Sequence, residues 1–137
     1  MPRRFPGAIR AGLPVAVTPP RTFSRINGLS PRSHRAVAQV EVRRLGPGSL
    51  EWALAGYREF LDRPGRWLYL PENRGDFDDP CYCRDVLEVA LLHLPPTARA
   101  ELRRLVTPLD TRFQTRTLPD PAPPPWWYAG RWWCQRL

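Results

Sequence analysis

The chain has 137 residues, eighteen of them Pro and nine Gly, and a formal net charge of +8. A length of this order allows one domain, and the uneven spread of Pro and Gly shortens the part that can pack. No apolar run approaches the roughly 20 residues of a membrane-spanning helix, which excludes integral association with a membrane through such a helix.

All 21 Lys/Arg residues are Arg. With abundant Ala, Pro and Leu, this composition marks a GC-rich coding sequence, so the Arg total is a poor argument for nucleic-acid binding. The distribution says more. Residues 1–36 hold seven Arg and no acid, residues 37–110 hold ten Arg against twelve acids, and residues 111–137 hold four Arg against Asp120. The positive charge belongs to the two ends, a pattern of proteins whose tails touch polyanions or anionic membranes.

Pro2, Pro6, Pro14, Pro19, Pro20 and Pro31 break up any helical or strand period at the start, and residues 1–45 are expected to form a basic, disordered arm. Ala8-Ile9 and Val15-Ala16-Val17 are too short for a secretory signal. Three cysteines without such a signal fit a reducing, cytoplasmic setting. Within the arm, Ala36 to Val42 alternates well enough to predict a short strand.

The folded domain is expected over residues 46–118, as a mainly α bundle of three to four short helices with one short extended segment. After Gly46-Pro47-Gly48, Ser49 can cap a helix over residues 50–62 that buries Leu50, Ala53, Leu54, Tyr57 and Leu61. Pro64-Gly65 ends it, and residues 66–71 read as the extended segment. Asp79-Pro80 starts a central helix over residues 80–94, because the carboxylate accepts from first-turn amides and Pro at the first position loses no needed donor. Cys83, Leu87, Ala90, Leu91 and Leu94 form its core stripe, and Val89 and Leu92 a second apolar spot, so the helix is predicted to be sandwiched, with Arg84, Asp85 and Glu88 in water. Pro95-Pro96 opens a third helix to residue 106, and Thr107-Pro108-Leu109-Asp110 reads as the capping box of a fourth to residue 117.

Two constellations on these helices could carry chemistry. Cys81, Cys83 and Cys134 could build a zinc or thiol site, but Cys81 and Cys83 diverge by about 200° on a helix, and Cys134 would have to return from the far end. The plainer reading makes Cys83 a core residue and Cys81 a partly exposed one. Arg99, Arg103, Arg104, Arg112 and Arg116 on two tightly joined helices vaguely suggest a helix-turn-helix reaching phosphates or guanine edges; the plainer reading is a pair of solvated faces.

Residues 119–137 form a Pro/Trp-rich tail in which a stiff proline run leads to Trp126, Trp127, Tyr128, Arg131, Trp132 and Trp133. Each Trp can bury about 200 Å², so the tail must dock, either as a strap over its own bundle or into a partner.

Asp79-Pro80-Cys81-Tyr82-Cys83-Arg84-Asp85-Val86-Leu87, followed by Ala98 to Val106 and Pro108-Leu109-Asp110, resembles short uncharacterised Arg-rich proteins encoded in GC-rich bacterial genomes. The resemblance covers about residues 46–133 and implies a small helical domain, with no activity and no functional residue to transfer. Neither His34 nor His93 stands in a Ser/His/Asp order, and no phosphate-cradling glycine loop is discernible, so the reading leans away from an enzyme and implies no cofactor. The first functional expectation is an adaptor that engages a macromolecular partner through its Trp-rich tail. The second is a nucleic-acid binder using the basic arm and the five arginines, and the third a zinc or thiol-redox module on the three cysteines.

Overall fold

Asp79 and Pro80 start a helix, as their types predict. In the computed structural model, which describes residues 22–71, 79–122 and 130–137, four α-helices pack around one core. The central helix, here α3, spans Pro80–His93, and the Asp79 carboxylate accepts from the Cys81 amide at 2.9 Å. Its stripe of Cys83, Leu87, Ala90, Leu91 and Leu94 is buried. The expected second spot is not: Val89 is half-buried and Leu92 is 64% exposed, so α3 is covered on one broad face only.

Helix α2, Ser49–Leu61, crosses α3 with Leu50, Ala53, Leu54, Tyr57 and Leu61 inward, joined by Phe60. Gly56 sets how closely they approach, since a Cβ there would lie 2.8 Å from the Cys83 Sγ. Tyr57 and Phe60 both meet Phe113 of α4 edge-on, at centroid distances of 5.7 and 6.0 Å.

Helix α4 corrects the expectation of two short helices: it runs unbroken from Pro96 to Arg116 with Pro108 inside. The proline removes one helical hydrogen bond and orphans the Arg104 carbonyl. Arg104 and Pro108 lie on the exposed side, where solvent can reach that carbonyl, while Leu102, Val106, Leu109 and Phe113 keep an unbroken buried stripe. The stripe outweighs the missing bond, and the helix-turn-helix reading loses its turn.

The start of the chain is corrected too. Ser30, Pro31 and Ser33 begin a helix, α1 at Pro31–Val40, with the Ser30 hydroxyl accepting from the Ser33 amide at 3.2 Å. Val37 and Val40 are buried beside Ser33, whereas Val42 is 67% exposed; the valines serve a helical period, not the alternation of a strand. A π-helical turn, Glu41–Leu45, follows and ends at Gly46 with φ 97°. The Glu41 side chain is fully buried there. Its carboxylate accepts from the amides of Ser24, Gly48 and Leu50 at 3.1, 3.2 and 2.9 Å and from the Ser24 hydroxyl. One carboxylate thereby ties residue 24, the end of α1 and the start of α2 together. On the α4 side, Glu101 accepts from the Ser30 amide at 2.7 Å, and that bond leads the contacts that hold its carboxyl below the usual range.

Residues 131–137 are no appendage either. Trp132–Cys134 form a short 3₁₀ turn with Trp133 and Cys134 buried, and Pro119 and Arg136 make an antiparallel bridge. The Leu137 amide donates to the Leu118 carbonyl at 2.8 Å, and the Leu70 amide to the Leu137 carbonyl at 3.2 Å. The bundle therefore takes in residues 22–45 and 131–137, beyond the boundaries at 46 and 118 that composition suggested. Residues 1–21, and the disorder expected of them, lie outside the described residues.

Candidate functional surfaces

Arg84, expected in water, is buried between α3 and α4. Its Nε and Nη2 donate to the two Asp110 oxygens at 2.9 and 3.0 Å, and Nη1 donates to Glu88 at 2.9 Å. Burial works against the guanidinium charge, but the two carboxylates outweigh it and leave its pKa raised. Tyr57 donates to the same Asp110 at 2.8 Å, and burial, followed by the Asp110 charge, pushes its hydroxyl well up. The Arg84 guanidinium carbon also lies 4.3 Å from the Trp133 ring centroid, so the pair at the core doubles as the seat of the tail.

The expected partner-binding residues divide accordingly. Trp133 is buried, with its indole nitrogen donating to Asp85 at 2.8 Å, and Arg131 forms an ion pair with the same carboxylate at 2.6 Å. Trp132 packs against Phe113 with centroids 6.0 Å apart. These three residues fasten the tail to its own bundle. Trp126, Trp127 and Tyr128 lie outside the described residues.

All three cysteines are buried, Cys81 included, against the expectation that it would be partly exposed. Cys81 Sγ donates to the Trp133 carbonyl at 3.0 Å. Burial, then the Asp79 charge, pushes the Cys83 thiol up to about 11, the opposite of what a reactive thiolate needs. Among the described residues no three His, Cys, Asp or Glu side chains gather as a metal-ligand set. His34 serves the backbone: the Ile26 amide donates to its Nε2 at 3.1 Å, which leaves Nδ1 to donate to the Ser30 carbonyl at 3.0 Å.

Of the five arginines considered for nucleic acid, three are held at helix ends. Arg99 donates to the Leu91 and Leu94 carbonyls at 2.7 and 2.8 Å, at the end of α3. Arg112 donates to the Leu61 carbonyl at 2.9 Å, and Arg116 to the carbonyls of Leu61, Arg63 and Gly65, at the end of α2. Arg136 does the same for α4 through the Gln114 and Thr117 carbonyls, at 2.8 and 2.6 Å. A helix leaves its last four carbonyls without partners and concentrates negative potential there, so a guanidinium is a fitting cap. Of the five, Arg103, Arg104 and Arg112 are exposed, and Arg112 is exposed while it caps α2.

A different set faces outward on α1 and the π turn that continues it. With Ser33, Val37, Val40 and Glu41 inside, the opposite side presents Arg32, Arg35, Gln39 and Arg43, spaced three, four and four apart. The lone acid of α1 and its π turn is Glu41, which is buried. The neighbouring acids Glu51 and Glu101 are occupied by the amides of Arg25 and Ser30, at 3.0 and 2.7 Å. Sequence reasoning missed this face because it assigned residues 1–45 to disorder. The available signal was local: Ser30-Pro31 as a helix start, with Val37 and Val40 three apart.

A second feature is a cleft of about 580 Å³ where the π turn meets α2 and α3, lined by Arg44, Pro47, Trp52, Tyr82 and Val86. Trp52 and Tyr82 meet edge-on in it, with centroids 5.8 Å apart. No helix among the described residues is long and apolar enough to cross a membrane. Compared with protein-family models, with curated proteins and with solved structures, the chain matches none.

Proposed function

We propose that the protein binds nucleic acid through its phosphates, with the outer face of α1 as the contact surface. The observation that carries this reading is the sorting of charge along α1 and the π turn that continues it: Arg32, Arg35 and Arg43 are exposed, while the single acid of the segment is buried. A row of guanidinium groups on a helix held rigidly at both ends, by Glu101 at Ser30 and by the Glu41 clamp, loses little freedom when it meets an anion. The four further arginines of residues 1–21 stand next to this face in sequence and would add to it. Phosphate contacts displace condensed counterions, so the signature of such binding is its salt dependence.

The test is an anisotropy titration of a labelled oligonucleotide with the full chain, between about 50 and 200 mM salt. Affinity should fall about tenfold or more over that range for a face that contacts several phosphates. Arg32→Ala/Arg35→Ala/Arg43→Ala should weaken binding and make the dependence on log salt shallower by about two, at 0.7 to 0.9 per phosphate lost. Binding that ignores salt, or a triple variant that binds as the parent does, would overturn the reading.

A further inference from the structure

The residues leading into α1 add an aromatic element to this face. Residues 23–26 belong to no helix or strand, and burial alternates along them: Phe23 and Arg25 are exposed, Ser24 and Ile26 buried. Ser24 is fixed by its amide and hydroxyl to Glu41, and Ile26 by its amide to His34. Phe23 is therefore a ring projected outward from a segment pinned on its far side, and it is 45% exposed.

Two shallow depressions adjoin that ring, and Phe23 lines both. The larger, about 540 Å³, also holds Arg25, His34 and Arg35. The smaller, about 300 Å³, holds Gln39, Val42 and Arg43. An aromatic face thus has a guanidinium in each of the depressions that flank it.

We infer that Phe23 is a stacking platform for an unpaired base, with Arg35 and Arg43 taking the phosphates on either side, so that the partner is single-stranded nucleic acid. The inference rests on the phosphate-binding reading above and narrows its substrate class. Every base has a π face, so a flat ring between cations binds single strands with little regard to sequence, whereas a duplex keeps its bases inside the stack and offers the ring nothing. A membrane surface fits less well. A helix that lies in a bilayer interface must offer an apolar face, and that face of α1, Val37 and Val40, is already inside the core. An acidic peptide would satisfy the arginines but leaves the ring without a stacking partner.

The experiment uses the full chain with two labelled probes of about 20 nucleotides, an oligo-dT strand and a mixed-sequence duplex, beside vesicles of an anionic phospholipid. The parent should prefer the single strand. Phe23→Ala should lose about tenfold in single-strand affinity with duplex affinity and salt slope unchanged, and Phe23→Tyr should restore it, since stacking onto one ring is worth a factor of that order. Circular dichroism of each variant verifies that the exposed substitution leaves the helices intact. Salt-dependent binding of both probes that Phe23→Ala leaves unchanged would overturn the stacking role while the phosphate reading stands. Failure to bind either probe would overturn both, as would binding to the vesicles alone.

Discussion

Arginines recur along α1 and along α4 at similar spacings, and the two sets do opposite things. Arg32, Arg35 and Arg43 are exposed on the outer face of α1 and its π turn, whereas Arg99, Arg112 and Arg116 close the ends of α3 and α2, Arg112 while still partly exposed. The difference is one of neighbourhood: α4 runs past two helix C-termini, whose unpaired carbonyls take up a guanidinium wherever one can reach them. Counting cations along a helix therefore does not identify a binding face. The useful question is which of them already have an acceptor.

The contrast can be broken first at its extreme, Arg84, the most enclosed arginine among the described residues. Arg84→Met should lower unfolding free energy by about 3–5 kcal/mol, read from urea denaturation, because it leaves the half-buried Asp110 carboxylate, and Glu88 beside it, without their cation. Arg84→Lys should recover only part of that loss, lacking the two-pronged geometry. Next comes the carboxylate that holds α1 in place. Glu41→Ala leaves the amides of Ser24, Gly48 and Leu50 without their acceptor and should lose on the order of 3 kcal/mol, with hydrogen exchange rising first at those amides. Since the same clamp fixes Phe23, this variant should also lose single-strand preference while it remains folded.

A smaller effect separates the two arginine sets directly. Arg116→Ala should cost about 1.5–3 kcal/mol of stability and leave oligonucleotide affinity unchanged. Arg35→Ala should stay within about 0.5 kcal/mol of the parent in stability and weaken binding. If the two variants behaved alike in both assays, the division between capping and contacting arginines would not hold.

Alkaline pH probes the core beneath both sets. Cys83 titrates near 9 when the chain is unfolded and at about 11 in the fold, because burial and Asp79 disfavour the thiolate. The stability this contributes is complete below pH 9 and is lost as pH rises through 11. Tyr57, also shifted up by burial and Asp110, adds to the decline above its unfolded value of 10.0. Melting temperature should thus fall between pH 9 and 11, and Cys83→Ala should flatten the first part of that fall. A pH-independent melting point over this range would show that the thiol is less enclosed than its packing against Gly56 implies.

The parts of the fold that were legible share a local cause. Helix α3 could be read from Asp79-Pro80 and a stripe of Cys83, Leu87, Ala90 and Leu91, and α2 from the spacing of Leu50, Ala53, Leu54 and Tyr57. Cap chemistry and a 3.6-residue period act between near neighbours, so a single sequence displays them. Helix α1 was equally local, but proline density masked it. The reading of Thr107-Pro108-Leu109-Asp110 as a helix start failed for another reason: the burial of Leu102, Val106, Leu109 and Phe113 decides whether a proline interrupts, and burial is a property of the assembled bundle.

By itself, then, the sequence determined the helical class, the helices α2 and α3 and the cap that opens α3, all through signals between near neighbours in the chain. Only the tertiary structure decided which charges face water. Arg112 finds Leu61 across 51 residues, Arg131 finds Asp85 across 46, and Ser24 finds Glu41 across 17. A guanidinium or a carboxylate reads the same in sequence whether it lies exposed or holds the core together, because its fate is set by the groups that folding brings within hydrogen-bonding distance.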